Sequence, residues 1–215
     1  FVKEREPGHG ERLLADVIRE LASLSDGAVF SSKKDHFVPI GGMLCLNDDD
    51  VAQRARELLV VYEGFLHYGG MAGHDMEALA QGIRESADER IVAAYVAQAR
   101  YLGGRLEELG VPIVEPVGAH AVFLDAKRFL PHLPQEQFPA QSLAAALYLA
   151  GGVRSMERGI VSGQHGDTPY DGLELVRLTL PRRGVEEAHL SHLGNAVGAV
   201  LARGVVVPCV GLTSV

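Results

Sequence analysis

The chain has 215 residues, a size at which folding can bury about 70% of the unfolded surface without metal or disulfide support. Hydrophobic residues make up 47% and charged residues 22%, a composition typical of globular chains. Acids outnumber bases by 28 to 20 and no basic stripe occurs, which argues against nucleic acid or an anionic membrane as a partner. The two cysteines, Cys45 and Cys209, lack metal-site or disulfide-framework spacing. The cysteine usage favours a reducing, cytoplasmic setting.

Helices and strands are predicted to alternate along the chain, which indicates an α/β architecture. The expected elements, in chain order, are a helix at 11–25, strands at 28–30 and 43–46, a helix from Val51 capped by the preceding Asn and Asp residues, helical structure at 75–109 capped by Asp75 and broken near 86–87, strands at 111–114 and 121–124, a helix at 139–150, strands at 153–156 and 173–179, and a helix at 185–203. The glycine-rich segment 63–74 is expected to be irregular.

A lysine loop follows the first predicted strand. Lys34 lies among hydroxyl-bearing residues and before a glycine turn, a setting in which a rigid scaffold can hold a lysine amine against a carbonyl group to form a Schiff base. Ser31 could donate a hydrogen bond to a phosphate, and Lys33 could add a second positive charge. The alternative is that the Lys-Lys pair is only solvated surface.

Two arginines and a tyrosine are further candidates. Arg177 is framed by apolar strand-forming residues, which favours a carboxylate or phosphate partner bound through two parallel hydrogen bonds; the alternative is an internal ion pair. Arg158 is predicted at the edge between a strand and a loop, where binding residues tend to collect. Tyr68 lies in the glycine-rich segment and could be either a hydrogen-bond donor or loop packing.

Several segments together resemble the pyridoxal-phosphate β-eliminating lyases, the family of tyrosine phenol-lyase and tryptophanase. The resemblance extends from residue 1 to about residue 183. It rests on SSKKD at 31–35, VPIGG at 38–42, YEG at 62–64, YGG at 68–70, DME at 75–77, GAHAVFLD at 118–125, FPAQSL at 138–143 and VRLT at 176–179. Within the family, RSMERG at 154–159 is similar to tyrosine phenol-lyase, whereas tryptophanases carry an apolar residue at position 158.

The resemblance implies part of an aspartate-aminotransferase-like α/β enzyme of fold type I. Residues 1–88 would be the C-terminal part of the large cofactor-binding domain, and residues 89–215 the small C-terminal α/β domain. The segment 184–215 departs from the family pattern. The family's cofactor-ring aspartate and most of its phosphate-binding residues have no counterpart here, so the chain is expected to be a C-terminal fragment that is inactive by itself. The complete protein is expected to be a homotetramer.

The resemblance also implies roles for individual residues. Lys34 would hold the cofactor and move the α-proton, while Ser31 would contact the cofactor phosphate beside Lys33. Tyr68 would lie beside the substrate and the lysine. Arg177 would bind the substrate α-carboxylate.

Arg158 would face the phenol ring and its hydroxyl, because it stands where tryptophanases are apolar. The backbone carbonyl of Pro39 lies in the segment that helps to hold a potassium ion in the family. The activity implied is β-elimination of L-tyrosine to phenol, pyruvate and ammonia. Two alternatives remain, tryptophanase or another β-eliminating lyase, and a non-catalytic remnant that lacks half of the site.

Overall fold

The computed structural model describes residues 2–162, 170, 172–181 and 184–203. It divides into two compact units, unit 1 (Phe1–Ala94) and unit 2 (Tyr95–Val215). Both units mix helices with strands, in agreement with the predicted alternation. The expected division into enzyme domains at residues 88 and 89 stays a prediction, because a compact unit of this chain is not by itself a domain of the complete enzyme.

Unit 1 contains an antiparallel β-hairpin and several helices. Its elements are α1 (Val2–Arg5), α2 (Leu14–Ser23), β1 (Gly27–Ser31), α3 (Ser32–Asp35), β2 (Gly42–Leu46), α4 (Asp49–Tyr62), α5 (Gly73–Ser86) and the start of α6 (Glu89–Glu108). In the hairpin, Gly27 pairs with Leu46 and Ser31 with Gly42.

The caps of two helices in unit 1 were predicted with different success. The predicted aspartate cap of α4 is confirmed, since Asp48 Oδ1 accepts a hydrogen bond of 2.8 Å from the Val51 amide. The predicted cap at Asp75 is wrong. α5 begins two residues earlier with Ala72 as its N-cap, and the Asp75 carboxylate lies 3.3 Å from His74 Nε2 instead.

Unit 1 has little hydrophobic core of its own. Among its described residues, only Val17 and Val38 are buried hydrophobic side chains. Many large hydrophobic side chains are exposed instead, including Val29 at 83% and Leu24 at 78%. Unit 1 therefore exposes large apolar side chains on several of its elements.

Unit 2 is built on a three-stranded antiparallel sheet with the strand order β3-β5-β4. After the end of α6, its elements are β3 (Ala121–Asp125), α7 (Ala126–Phe129), a 3₁₀ turn (Gln135–Gln137), α8 (Pro139–Gly151), β4 (Met156–Arg158), a second 3₁₀ turn (Ile160–Ser162), β5 (Leu175–Thr179) and α9 (Glu187–Arg203). None of the described helices has both the length and the apolar character needed to cross a membrane.

Two predicted strands of unit 2 differ from the structure. Residues 111–114 form only an isolated bridge between Ile113 and Leu124, in a segment where Pro112 has no amide hydrogen to donate to a ladder. The strand predicted at 153–156 lies at Met156–Arg158, because pairing with β5 starts only at Met156. The atypical tail is described only as far as Arg203; residues 204–215 lie outside the described residues.

The core of unit 2 lies on one face of the sheet. Val122 and Leu124 of β3 and Val176 and Leu178 of β5 point to this face, where they join a buried cluster with side chains of α6, α8 and α9. Because strand side chains alternate between the two faces, the residues between them point to the opposite face. That outer face is half exposed and carries Arg177.

Candidate functional site

The predicted lysine loop is a tight strand-to-helix junction. β1 ends at Ser31, and the single turn of α3 carries Lys34 back over it. Lys34 Nζ donates a hydrogen bond of 3.2 Å to Ser31 Oγ. The structure therefore brings these two predicted site residues together, with Lys34 exposed at the protein surface. Lys33 and Pro39 are also exposed, Lys33 on α3 and Pro39 in the segment between α3 and β2.

A buried pair of polar side chains, Ser32 and His36, holds this junction in place. Ser32 and His36 are both buried, and Ser32 Oγ lies 3.1 Å from His36 Nδ1. Gly82 of α5 packs directly on the His36 carbonyl oxygen, where a Cβ atom would overlap with it. Sequence reasoning named Ser32 only as a further hydroxyl donor for a phosphate, whereas the structure buries it against His36. It missed His36 and Gly82, although the i, i+4 spacing of Ser32 and His36 is a usable signal. Together these three residues hold in place the backbone of α3, which carries Lys34.

Tyr68 lies in the irregular segment between α4 and α5, as predicted. Its ring is half buried and stands edge-on to His67, with 4.7 Å between ring centroids, and lies 6.0 Å from the Phe65 ring. Gly69 and Gly70 follow with φ values of 55° and 80°, a left-handed conformation that favours glycine. These contacts hold the Tyr68 ring in one orientation within unit 1.

Arg177 is central in β5, the middle strand of the sheet, opposite Phe123 of β3 and Met156 of β4. Its Nη2 donates to Met156 Sδ over 2.9 Å, a weak acceptor. Its Nε is buried and has no hydrogen-bond partner among the residues that the structure describes. Within the described part of the chain, no carboxylate lies at ion-pair distance from this guanidinium. The described residues thus offer no internal acid for Arg177, and its donors suit an incoming carboxylate.

Arg158 is the last residue of β4 and lies opposite Leu175, two positions before Arg177 on β5. Because opposite residues and residues two apart share a face, both guanidinium-bearing side chains stand on the outer face of the sheet. Diagonal neighbours of this kind are about 7–8 Å apart. Arg158 and Arg177 are both half buried, so the sheet presents two adjacent cationic side chains.

Two carboxylates lie on the opposite, core side of the sheet from these arginines, and sequence reasoning missed both. Glu174 precedes β5 and is only 1% exposed. Glu157 lies on the core side of β4, opposite Val176. Burial raises the pKa of Glu157, and the negative charge of Glu174 raises that pKa further, against the opposing effect of the Gly159 amide. The alternation of residues 174, 176 and 178 was the available signal, since it places Glu174 on the buried side with Val176 and Leu178.

The Beta-eliminating lyase family model matches residues 12–196 of the chain. This match covers most of the chain. The chain belongs to the β-eliminating lyase family. The resemblance inferred from the lysine loop and the arginine segments is thereby confirmed.

Curated relatives are similar over nearly the whole chain. The tyrosine phenol-lyase of Pasteurella multocida is 56% identical over 201 residues, which are 92% of this chain and 44% of that protein. The tyrosine phenol-lyase of Nostoc punctiforme is 52% identical over 204 residues. The tryptophanase of Salinibacter ruber is 47% identical over 207 residues, again 44% of its length. The chain therefore spans less than half the length of these relatives.

Solved structures confirm the expected fold class. Serine palmitoyltransferase of Sphingomonas wittichii superposes with a TM-score of 0.57 at 17% identity, over 94% of this chain and 45% of that chain. An aromatic aminotransferase of Pyrococcus horikoshii superposes with a TM-score of 0.55 at 15% identity, over 82% of this chain and 43% of that chain. At these identities the likeness establishes the fold, which is that of the fold type I pyridoxal-phosphate enzymes.

Proposed function

We propose that the complete protein is a pyridoxal-phosphate-dependent carbon–carbon lyase that converts L-tyrosine to phenol, pyruvate and ammonia. Membership of the β-eliminating lyase family supports the reaction class. The observation that carries the choice of substrate is the sheet face of unit 2, where Arg177 has no carboxylate partner among the described residues and Arg158 stands beside it. Two adjacent guanidinium groups suit a substrate with a carboxylate at one end and a phenol oxygen at the other.

The residues of the lysine junction fit pyridoxal phosphate. Lys34 offers an exposed amine for the cofactor aldehyde. Ser31 Oγ accepts the Lys34 hydrogen bond, which leaves its own hydrogen for a phosphate oxygen, and Lys33 adds positive charge nearby. When bound, the cofactor supplies an electron-accepting ring for the charge left on Cα. Lys34 would then be the group that takes the proton from the substrate Cα.

The substrate is held by groups of unit 2. Arg177 binds the α-carboxylate through two parallel hydrogen bonds, for which its planar guanidinium is suited. Arg158 donates a hydrogen bond to the phenol oxygen. Since phenol is expelled only after its ring carbon is protonated, holding that oxygen orients the ring for proton delivery. Tyr68, kept in place by His67 and Phe65, stands beside the substrate and the lysine.

Three further features of the complete protein belong to this proposal. The carbonyl of Pro39 is one ligand of a potassium ion, although the described residues hold no cluster of His, Cys, Asp or Glu that could bind a metal. The complete protein is a homotetramer in the cytoplasm.

Tryptophanase activity is the second candidate, because a tryptophanase is 47% identical to the chain. Arg158 argues against it, since an indole ring has no oxygen to accept its hydrogen bond. The third candidate, a non-catalytic remnant, applies if the chain acts without the segments that complete the cofactor site in its relatives.

Arg158→Ala in the complete protein tests the proposal. We expect the variant to lose about 10²-fold or more of kcat/KM for tyrosine, because a hydrogen-bonded anchor of the leaving group is removed. Elimination from S-ethylcysteine, whose thiolate leaves without protonation of a ring, should be spared. Arg128→Ala, which removes an exposed arginine of α7, is the matched control. Equal losses on tyrosine and S-ethylcysteine would contradict the assignment of Arg158.

A further inference from the structure

The turn that follows Arg158 is held by the carboxylate of Glu174, the residue before β5. Ile160 donates its amide hydrogen to Glu174 Oε1 over 2.9 Å. Ala140, in the first turn of α8, donates its amide hydrogen to Glu174 Oε2 over 3.3 Å. Glu174, the residue before β5, therefore joins the turn after β4 and the start of α8 through one side chain.

Among the described residues, two backbone amides, the Gln135 side chain and a second carboxylate, Glu157, lie around this carboxylate. The Gln135 side-chain amide lies 3.5 Å from Glu174 Oε1, and no lysine or arginine at ion-pair distance is found among the described residues. A buried charge of this kind is tolerated because it lies at the N-terminus of α8, where the helix dipole and unpaired amides favour an anion. Phe138, the N-cap residue of α8, makes no side-chain cap hydrogen bond, so among the described residues Glu174 is the side chain that caps this helix. The arrangement uses both carboxylate oxygens.

Gly159 shows how tightly the turn is fitted to this carboxylate. A Cβ atom at Gly159 would overlap with Glu174 Oε2 and would lie 2.8 Å from Glu157 Oε1. The residue directly after Arg158 must therefore be glycine for the carboxylate to reach the turn. A side chain here would push either Glu174 or the end of β4 away.

We propose that Glu174 is a positioning residue for Arg158, whose direction it fixes by binding the turn that begins at Gly159. This inference rests on the proposed role of Arg158 in holding the phenol oxygen. Arg177 stands in the middle of β5, paired on both sides, and is less dependent on the turn. Loss of the Glu174 contacts should thus impair recognition of the phenol more than recognition of the α-carboxylate.

The test is a double-mutant cycle in the complete, cofactor-loaded protein with Glu174→Gln, Arg158→Ala and both together. Glutamine keeps the shape of the side chain but turns an NH₂ group towards one of the two backbone donors. We expect kcat/KM for tyrosine to fall about 10- to 100-fold, as misplacement of a positioning group by about 1 Å does. S-ethylcysteine elimination and inhibition by alanine should stay near the parent values. With Arg158→Ala already present, Glu174→Gln should have little further effect on tyrosine.

Gly159→Ala is the second variant and should reproduce the same selective loss, because its Cβ displaces Glu174. Glu136→Gln, an exposed carboxylate in the 3₁₀ turn at 135–137, and Gly104→Ala, whose Cβ would meet nothing within 4 Å, are the matched controls. Suppose that Arg158→Ala lowers the activity on tyrosine selectively. The inference about Glu174 is then overturned, while the proposed function stands, if Glu174→Gln and Gly159→Ala impair both substrates equally, impair neither, or prevent cofactor binding. If Arg158→Ala itself is not selective, the proposed function fails first.

Discussion

Replacement of Arg177 by lysine removes the planar guanidinium group with its paired donors but retains the positive charge. The guanidinium can form two parallel hydrogen bonds with a carboxylate, whereas an ammonium group acts as a point charge. A hydrogen bond to a charged group contributes about 1.5–3 kcal/mol. Loss of one such bond corresponds to about a 10- to 150-fold weaker affinity for an amino-acid carboxylate.

The folded state should tolerate Arg177→Lys well. Among the described residues, Arg177 has no carboxylate partner, its Nη2 contacts only the weak acceptor Met156 Sδ, and its Nε is unsatisfied. Folding therefore loses no ion pair with a described residue, and we expect the free energy of unfolding to fall by no more than about 0.5–1.5 kcal/mol, the contribution of one ordinary hydrogen bond.

The assay is the inhibition constant of L-alanine, which has the α-carboxylate but no leaving group. It is measured beside cofactor affinity in the complete protein. Arg177→Lys should weaken alanine and leave the cofactor unaffected, while Arg128→Lys on α7 should change neither. An unchanged alanine inhibition constant would refute the role of Arg177 as the carboxylate clamp. A parallel loss of cofactor affinity would show instead that Arg177 supports the fold of the site.

Three further substitutions have distinct expected outcomes. Lys34→Ala should abolish the lysine–cofactor adduct that borohydride reduction traps, whereas Lys33→Ala should retain it. Peptide mapping that finds the adduct on another lysine would contradict the assignment of Lys34. Gly82→Ala should destabilise unit 1 by about 1–3 kcal/mol, because the added Cβ overlaps with the His36 carbonyl. Its control, Gly104→Ala in α6, should stabilise that helix by up to about 1 kcal/mol. The free energy of unfolding of both variants is measured by chemical denaturation. Since burial raises the pKa of Glu157 above its ordinary 4.5, folding favours the protonated carboxyl, and the free energy of unfolding should fall as the pH rises from 4.5 through the raised pKa. Glu157→Gln should therefore gain stability relative to the parent over that interval, and a difference independent of pH would disprove the cause given.

The local pattern of the sequence predicts much of the fold. Periodicity locates most helices to within a few residues, and the break between α5 and α6 falls where Ser86 and Ala87 indicate it. The strand errors share a physical cause. Whether residues 111–114 or 153–156 pair depends on the position of β3 and β5, and an apolar run does not contain that information.

In the candidate site, too, local sequence predicts some contacts, whereas others depend on how distant strands and helices pack together. Lys34 and Ser31 are three residues apart in the sequence, so their contact follows from local structure. Arg158 and Arg177 are far apart in sequence, and only the register of β4 against β5 places them on one face. Glu174 was missed because a buried charge is unfavourable by itself, and its partners, the amides of Ala140 and Ile160, come from two other elements.

The central claim, that the outer sheet face with Arg158 and Arg177 selects a phenol leaving group, is tested most directly by competition between two substrates. The complete protein, loaded with pyridoxal phosphate, is given tyrosine and tryptophan, and the release of phenol and indole is measured. Phenol should be released with a kcat/KM about 10⁴-fold higher than that for indole, since a site built to hydrogen-bond a substrate hydroxyl rejects analogues that lack it by about this factor. Efficient release of indole would contradict the account and identify the protein as a tryptophanase instead.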